Sequence, residues 1–530
     1  MPISRRDFLR LSALGIGSSL LAACGVRPPK KNQGNPQGNT QSGNSARPAK
    51  DATPAAPNAP TSTAPNPAAT PASSTTAASP SGLLSPEPTG HMILGRPTDQ
   101  AVTVNVVPAQ ASQIYFEYGT TPGKYSAQTQ PVTASANPQG TCLPINAELV
   151  NLQGNTRYYY RSLCKPEGAA DFSAGEEHTF ITQRSPGSSY SFTIDADPHN
   201  QDPNFNAELY AVTLTNAMKD KPDFHINLGD TFMTEKLNVK TQADAAATYA
   251  DMRPHLGLVG ADTPLFLVNG NHEGELGWLL NGTDKNLAVW CTGARHEYYP
   301  NPIPNGFYTG STTQEQFIGI RDGYFAWNWG DAQFIVLDPF WYTKSKPGQQ
   351  TDSNWGWTLG KTQYDWLKTT LQTSSSKFKF IFIHNLVGGN NKDGRGGIEA
   401  APYYEWGGKN ADGSEGFDTH RPGWGKPIHQ LLVENHVNAL FHGHDHVFVK
   451  QDLDGIVYQE CPQPSITRYN NTQLAHEYGY THGDVISSSG HLRVSITPDK
   501  ASVEYVRAYL PQDENSSQVN GQVAHTYTLL

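Results

Sequence analysis

The chain has 530 residues, which is too long for one ordinary domain and indicates several regions. Its formal net charge is −10 and its lysines and arginines form no run longer than a pair, which excludes the basic face of a protein that binds nucleic-acid polymers. Many of the 39 prolines lie in the first part of the chain, whereas aromatic residues are plentiful (24 Tyr, 20 Phe, 10 Trp). The composition therefore predicts a disordered segment beside folded regions.

The first residues resemble an export signal. Arg5 and Arg6 precede a mild apolar stretch over residues 11–23, as in a twin-arginine signal, and an amphipathic helix is the alternative. The stretch is too short for a stable membrane span. It ends in Leu-Ala-Ala and Cys24, which resembles a bacterial lipobox, and a lone cysteine at an ordinary cleavage site is the alternative. We predict a signal over residues 1–24, with Cys24 lipidated on the outer side of the cytoplasmic membrane or elsewhere in the periplasm or cell envelope.

Residues 25–88 are rich in Pro, Ala, Ser, Thr, Asn and Gly and have almost no large apolar side chain. Such a segment cannot offset its ordering entropy, so we expect a disordered tether between the lipid and the folded part.

Residues 89–185 alternate in the manner of short β-strands separated by turns. This pattern predicts an all-β sandwich of immunoglobulin type. The stretch 152–161, with three consecutive tyrosines, resembles the end of a fibronectin type III domain, where a tyrosine closes a corner. Substrate presentation, partner binding and a plain spacer are the roles open to this domain.

Two cysteines of this region, Cys142 and Cys164, flank predicted neighbouring strands, and export would permit a disulfide between them. Cys291 and Cys461 lie far apart in the sequence and cannot be paired from it.

From residue 190 onward, apolar runs of strand length alternate with helical patterns at 204–220, 361–373 and 426–434, which predicts an α/β domain over 190–530. Five predicted strands end in residues able to bind a metal ion: Asp197, His199, Asp230, Asn271, His384, His444 and His446. Because the carboxyl ends of strands line the ligand crevice of open α/β sheets, we expect these side chains to meet at one place.

The spacing and the residue types fit metal chemistry. Asp197 and His199 lie two residues apart and would point the same way from an extended segment, as would His444 and His446. Carboxylate, imidazole and amide oxygen without sulfur suit manganese, iron or zinc. Seven ligands are too many for one tetrahedral zinc but suit two divalent or trivalent metal ions roughly 3.5–4 Å apart.

The series Asp-x-His, Gly-Asp, Gly-Asn-His-Glu, His and Gly-His-x-His, in this order, resembles the signature of calcineurin-like metallophosphoesterases. The resemblance implies an αββα sandwich of two sheets. The implied ligands are Asp197, His199 and His446 for one metal, Asn271, His384 and His444 for the other, and Asp230 as the bridge.

The same resemblance gives His272 a catalytic role: it would contact the phosphate and protonate the leaving oxygen without binding metal. Asp445 or Glu273 would orient a nearby imidazole, or else make only local turn contacts.

The domain layout is similar to that of purple acid phosphatases, but the metal site departs from theirs. Those enzymes have a tyrosine three residues after the bridging aspartate, where this chain has Met233, and their first motif lacks the histidine found here as His199. A ferric iron bound by tyrosine is therefore not expected.

Three further residues are candidates for positions near the site. Arg295 and Arg395 lie in predicted loops that could contact a phosphate, although surface loops also carry solvated arginines. Asp338 ends a strand as the ligands do, but a structural role is expected for it.

These residues predict hydrolysis of phosphate esters outside the cytoplasm by a hydroxide bound to two metals. A phosphomonoesterase acting on a small phosphorylated substrate is the first expectation, because related exported enzymes scavenge phosphate. A phosphodiesterase or nucleotide hydrolase is the alternative, and a vestigial cell-surface binding protein is a third reading. The sequence leaves the metal, the natural substrate and the oligomeric state open.

Overall fold

The structure is a computed structural model that describes residues 91–136, 142–346, 354–390 and 393–529. The predicted signal over residues 1–24, with Cys24, and the predicted tether over 25–88 lie outside the described residues. Within the described ranges, no helix is long and apolar enough to cross a membrane.

The first described region is a pair of antiparallel β-sheets. Its strands are β1 (Met92–Gly95), β2 (Val102–Val106), β3 (Ser112–Gly119), β4 (Ala127–Gln128), β5 (Val132–Ala134), β6 (Ile145–Leu149), β7 (Arg157–Pro166), β8 (Ser173–Ala174) and β9 (His178–Ile181). One sheet has the order β1-β2-β6, and the other has the order β4-β3-β7-β8, with β5 on β3 and β9 on β7. The alternating inward side chains of both sheets, including Val104, Phe116 and Tyr160, form one buried core.

A tyrosine fixes the entry into β7. The Tyr158 hydroxyl accepts a hydrogen bond from the Gln153 backbone amide at 2.9 Å, which is the geometry of a tyrosine corner. The region is thus β-rich and sandwich-like, and its membership of the fibronectin type III family stays a prediction. The disulfide considered for Cys142 and Cys164 is not formed, since both thiols are buried and free, as are those of Cys291 and Cys461.

The second region contains two larger sheets. Its strands are β10 (Tyr190–Asp195), β11 (His225–Asn227), β12 (Leu265–Leu267), β13 (Thr309–Gly310), β14 (Gln314–Glu315), β15 (Gly319–Ile320), β16 (Phe325–Trp329), β17 (Ala332–Val336), β18 (Phe378–Phe382), β19 (Ala439–His442), β20 (Phe448–Leu453), β21 (Ile456–Glu460), β22 (Asp484–Ile486), β23 (Gly490–Ile496), β24 (Ala501–Arg507) and β25 (Val523–Leu529). One sheet has the order β12-β11-β10-β23-β24-β25, and the other β13-β16-β17-β18-β19-β21-β20-β22. In each sheet the central strands are parallel: β10, β11 and β12 in the first, β17, β18, β19 and β21 in the second.

Helices cover the outer faces of these sheets. They are α1 (Ala207–Lys219), α2 (Gln242–Asp251), α3 (Arg253–Gly260), α4 (Leu287–Tyr298), α5 (Lys361–Thr373), α6 (Tyr404–Gly407), α7 (Phe417–His420), α8 (Ile428–Glu434) and α9 (Gln473–Glu477). Local chemistry sets where the longer helices begin: the Asn206 side chain accepts from the Leu209 amide at the start of α1, and Thr241 and Asp244 form a capping box at α2.

The packing forms four layers. Aromatic residues such as Phe192, Phe224 and Phe334 fill the space between the sheets. Side chains that point outward from the second sheet, among them Ile381, pack on Leu367 of α5 and Leu431 of α8. The outer side of the first sheet packs on α1 to α4. The predicted αββα architecture is therefore confirmed, and α5 spans the residues that periodicity indicated.

The sandwich is attached to the outer layer through α3. Arg253, buried at 3% exposure, donates to the carbonyl of His91 at 2.6 Å and to the side chain of Asn105 at 2.7 Å. The Tyr160 hydroxyl donates to the Ala261 carbonyl at 2.6 Å. The Arg253 contacts join a buried cation to neutral acceptors. All of these contacts lie away from the strand ends that carry the predicted ligands.

Candidate metal centre

All seven residues predicted to bind metal come together where the two sheets end side by side. Asp197 and His199 follow β10, Asp230 follows β11, Asn271 follows β12, His384 follows β18, and His444 and His446 follow β19. Because β10, β11 and β12 are parallel to one another, as are β18 and β19, their carboxyl ends converge.

The backbone at these positions is unusual. Five of the seven residues have positive φ: Asp197 (59°), His199 (55°), Asp230 (52°), His444 (81°) and His446 (62°). A side chain in this region of φ costs of order 1–3 kcal/mol and persists only where the surroundings over-determine it. Two glycines let the backbone pass close to the two aspartate side chains. A Cβ on Gly443 would lie 2.6 Å from Asp197 Oδ2, and one on Gly270 would lie 2.3 Å from Asp230 Oδ1.

One group of ligand atoms surrounds the Asp197 carboxylate. Asp197 Oδ1 lies 3.6 Å from His199 Nε2 and 3.5 Å from His446 Nε2. The His199 nitrogen is also 3.5 Å from Asp230 Oδ2. The three residues predicted for the first metal therefore present one atom each to a common point, with Asp230 beside them.

The second group meets on the other side of Asp230. His384 Nε2 lies 3.2 Å from Asp230 Oδ2 and 3.2 Å from Asn271 Oδ1. The Nδ1–H of His384 donates to the Leu228 carbonyl at 2.8 Å, so Nε2 carries the lone pair. His444 donates from Nε2 to the Asp393 carbonyl at 2.8 Å, which leaves Nδ1 as its free lone pair. Asp230 thus faces both groups, as a bridging ligand must.

The residues fit a pair of cations because lone pairs face one another. In the second group Nε2 of a neutral His384 would bring a lone pair to an amide oxygen and a carboxylate oxygen, so that three acceptors would face a common point. In the first group Asp197 Oδ1 and His199 Nε2 are buried and have no hydrogen-bond partner among the described residues. Buried polar atoms are nearly always satisfied, so this arrangement calls for bound cations.

Electrostatics point the same way. Burial would raise the pKa of Asp197, but the adjacent imidazoles of His199, His446 and His384 hold it well below its usual range. Burial would lower the pKa of His199, yet the adjacent carboxylates of Asp197 and Asp230 raise it to about 10. The two buried carboxylates therefore favour positive charge at this point of the molecule.

The carboxylates next to the ligands hold the backbone of the site. Glu273 accepts from the amides of Thr231 (2.6 Å), Gly270 (2.7 Å) and Asp230 (3.0 Å). Asp445 accepts from the Gly396 amide, the Tyr480 hydroxyl and Arg395, all at 2.8–2.9 Å. Apart from the bond between Glu273 and Gly270, these contacts join segments far apart in sequence, so they are neither the local turn contacts nor the imidazole contacts considered for the two residues.

A different carboxylate, missed by the sequence analysis, holds the predicted general acid. Glu235 Oε2 accepts from His272 Nδ1 at 3.0 Å, and His272 Nε2 then lies 3.8 Å from Asp230 Oδ2. Burial opposes ionisation of Glu235, but the hydrogen bond from His272 and its charge lower the pKa of Glu235 to about 2. No motif marked Glu235, which stands five residues after Asp230 on an irregular turn.

A cavity of about 200 Å³ opens beside these residues. Its lining includes four side chains that the sequence analysis did not single out, Lys236, Lys346, Trp278 and Trp357. Arg395 also lines it, but Arg295 does not: its guanidinium is buried on Glu275 and Asp322, so the substrate-contact role considered for Arg295 is wrong. Asp338 is structural as expected, because its carboxylate is paired with Arg321 at 2.8 Å.

Comparisons with known proteins agree with this geometry. Residues 190–448 match the sequence family described as calcineurin-like phosphoesterase. No curated protein sequence matches the chain. The solved structure of PhoD is similar with a TM-score of 0.58 and 17% identity, over 83% of this chain and 89% of that one, which supports a shared fold.

Two other structures are more distant. GAP50, described as the anchor in the inner membrane complex of Plasmodium, has a TM-score of 0.35 at 12% identity, over 64% of this chain and 88% of its own. A putative 5'-nucleotidase from Staphylococcus aureus has a TM-score of 0.33 at 14% identity, over 63% and 56%. The family match, the αββα layers and the convergent ligands together make residues 190–448 a calcineurin-like metallophosphoesterase domain.

Proposed function

We propose that the protein hydrolyses phosphate esters with two metal ions, manganese, iron or zinc, bound by the seven residues described above. The observation that carries the proposal is the position of Asp230, whose Oδ2 lies 3.5 Å from His199 Nε2 in one group and 3.2 Å from His384 Nε2 in the other. When bound, two such ions polarise the phosphate and make a water molecule nucleophilic near neutral pH. The complete ligand set argues against a vestigial binding protein.

His272 is placed to move a proton. Its Nδ1–H is held by the Glu235 carboxylate, so Nε2 is the nitrogen that faces the centre. A protonated His272 would donate from Nε2 to the leaving oxygen, and the Glu235 carboxylate holds the ring in the orientation that turns Nε2 toward the centre. Glu235 is a positioning residue in this scheme, since it acts only through the imidazole.

The charge of the cavity favours a phosphomonoester over a diester. Lys236 and Lys346 both line the cavity, and each lies within 3.5 Å of Glu235. A monoester presents a dianion, which gains more than a diester monoanion from two nearby ammonium groups. A phosphodiesterase or nucleotide hydrolase remains the second candidate.

The proposal includes a cellular location. Arg5, Arg6 and Cys24 support export and attachment to a membrane by a lipid, with residues 25–88 as a tether and a fibronectin-like domain before the catalytic domain. Labelling cells with a palmitate analogue tests this part. Wild-type chain should carry the label and Cys24→Ala should not; label on both would remove the anchor from the proposal.

The metal centre is tested first by elemental mass spectrometry on the folded part, purified without chelator or added metal. About two equivalents of manganese, iron or zinc per chain are expected. Absence of bound transition metal, even after reconstitution, would overturn the two-metal proposal.

The reaction is tested with the loaded protein on 4-nitrophenyl phosphate and bis(4-nitrophenyl) phosphate. We expect the larger kcat/KM for the monoester. Faster turnover of the diester would make the second candidate correct, while hydrolysis of neither would overturn the proposed activity.

A further inference from the structure

One wall of the cavity beside His272 is aromatic. Trp278 lies in a short 3₁₀ helix, Gly277–Leu279, and is half-buried, and Trp357 behind it is 4% exposed. The two ring centroids are 6.0 Å apart, with the rings at 89°, so the edge of one indole meets the face of the other. Both side chains line the cavity that the candidate metal ligands also line.

This wall is held firmly against the metal centre. The Gly277 amide donates to the Phe340 carbonyl at 3.1 Å, and a Cβ on Gly277 would lie 2.1 Å from the Trp341 carbonyl oxygen, so only glycine fits. Trp357 packs edge-on against Phe340 at 5.8 Å, and Phe340 lies 6.1 Å from the ring of His384. The aromatic series therefore leads from a metal ligand to the cavity surface with little freedom to move.

The inner indole has an unused donor. Trp357 Nε1 is buried without a hydrogen-bond partner in the described part of the chain, as is Trp327 Nε1 in the core, whereas the indole nitrogens of Trp329, Trp355 and Trp406 donate to Asp223, Asn410 and Tyr458. Because Trp357 Nε1 is shielded from solvent, a ligand in the cavity would meet the half-buried ring of Trp278 instead.

Charge is placed elsewhere in the cavity. Lys236 and Lys346 are ion-paired with Glu235, which holds His272. The two lysines therefore lie near His272, where the phosphate would bind and react. The indoles leave an apolar surface for the rest of the substrate. Aromatic groups bind such a wall by offset or edge-to-face contacts.

We propose that Trp278, backed by Trp357, binds a planar aromatic ring in the alcohol portion of the phosphate ester, such as the base of a nucleoside monophosphate. This proposal rests on the proposed phosphoesterase activity and adds a substrate class to it. Trp278 is the residue that determines the preference, because its ring is the more exposed of the two.

The test compares two substrates with the same reacting groups. Ribose 5-phosphate and a nucleoside 5'-monophosphate share the phosphate and the primary alcohol, and they differ in the aromatic base. We expect kcat/KM to be about tenfold higher for the nucleotide. In Trp278→Ala the ratio should fall to near one, and in Trp278→Phe most of the ratio should remain.

A matched control is Trp366→Phe, because Trp366 is another half-buried tryptophan that packs on Tyr324 and does not line the cavity. Its ratio should equal that of the wild type. Equal hydrolysis of both substrates by the wild type would overturn the inference and leave the activity standing, as would an equal loss on both substrates in Trp278→Ala. Hydrolysis of neither substrate, nor of 4-nitrophenyl phosphate, would overturn the activity itself.

Discussion

Two buried clusters of charged side chains lie close together in the catalytic domain and differ in how their charges are balanced. In the first, Glu275 pairs with both Arg295 (2.5 Å) and Arg321 (2.8 Å), and those arginines also pair with Asp322 and Asp338. In the second, the candidate metal centre, carboxylate, amide and imidazole lone pairs face one another. The carboxylates of the Glu275 cluster face arginines of the same chain, whereas at the metal centre the balancing charge is left to bound cations.

The difference separates a structural cluster from a functional one. Members of the Glu275 cluster are at most 3% exposed, and its carboxylates face guanidinium groups, so it holds α4 to the strand ends without a ligand. Most of the candidate ligands of the metal centre are also buried, although Asn271 and His446 are partly exposed, and five of the seven occupy a strained backbone region. Strain and unmatched lone pairs are retained where a bound ligand uses them.

Asp230→Asn should give the largest effect. The amide cannot serve as a charged bridge, so metal content and kcat/KM should fall together, the latter on the order of a thousandfold, or about 4 kcal/mol. Elemental analysis and 4-nitrophenyl phosphate assays measure the two losses. Activity that survived the change would contradict the two-metal centre.

Glu275→Gln should act on stability instead. It removes the charged acceptor that Arg295 and Arg321 share and disturbs their buried hydrogen bonds, which should cost about 3 kcal/mol of unfolding free energy. Denaturant unfolding measures the loss, and the variant that remains folded should keep its metal and its kcat/KM. A variant as stable as the wild type would show that the pairing of Glu275 with the two arginines does not stabilise the fold.

The pKa of Glu275 predicts how the free energy of unfolding changes at low pH. Burial would raise the pKa of Glu275, but the charge and hydrogen bonds of Arg295 and the charge of Arg321 lower it to about 2. A carboxyl with a lowered folded pKa contributes stability above its unfolded pKa, and that contribution disappears as pH falls through the folded pKa. From about pH 4.5 to about pH 2 the wild type should therefore lose about 3 kcal/mol more than Glu275→Gln. Parallel stability curves over this range would contradict the pairing.

Glu235→Gln should have a smaller effect, confined to proton transfer. The amide keeps a hydrogen-bond acceptor for His272 Nδ1 but not the charge, so kcat should fall roughly ten- to hundredfold, about 2 kcal/mol. The loss should be greatest for alkyl phosphates, whose leaving oxygen needs a proton, and least for 4-nitrophenyl phosphate. An equal loss on both substrates, or loss of metal, would show that Glu235 only supports the structure.

The smallest effect is expected at a solvated pair. Lys361 and Asp365 lie one turn apart on α5 at 2.6 Å, with side chains 47% and 52% exposed. Water screens such a pair, so Asp365→Asn should change the free energy of unfolding by no more than about 0.5 kcal/mol. A loss comparable to that of Glu275→Gln would mean that burial does not distinguish the two kinds of pair.

Much of the site could be predicted because its residues follow local patterns. Polar residues that end apolar strands gave Asp197, Asp230 and His384, and short spacing gave the His444 and His446 pair. Glu235, Trp278 and the two lysines could not be found this way, since none stands at a strand end or in a recurrent motif. Their nearness to the metal centre depends on how irregular turns pack against one another.

Two other expectations show the same limit. Arg295 was considered as a surface contact for phosphate, yet α4 buries it on Glu275, a partner 20 residues away in sequence. Cys142 and Cys164 were expected to flank neighbouring strands, but Cys164 lies within β7, and β6 and β7 belong to different sheets. Sequence does not give the distance and orientation that a disulfide needs, and the thiols stay free.

The sequence by itself indicated the α/β class of the catalytic domain and the seven candidate ligands, because strand periodicity and residue chemistry are local and survive in the order of the chain, and the family resemblance added the αββα layers. Tertiary structure alone decided which carboxylate holds His272, which buried carboxylates are paired with arginines, and which side chains line the cavity. Those properties depend on atoms brought within a few ångströms of one another by segments far apart in sequence, and burial then sets how strongly their charges interact.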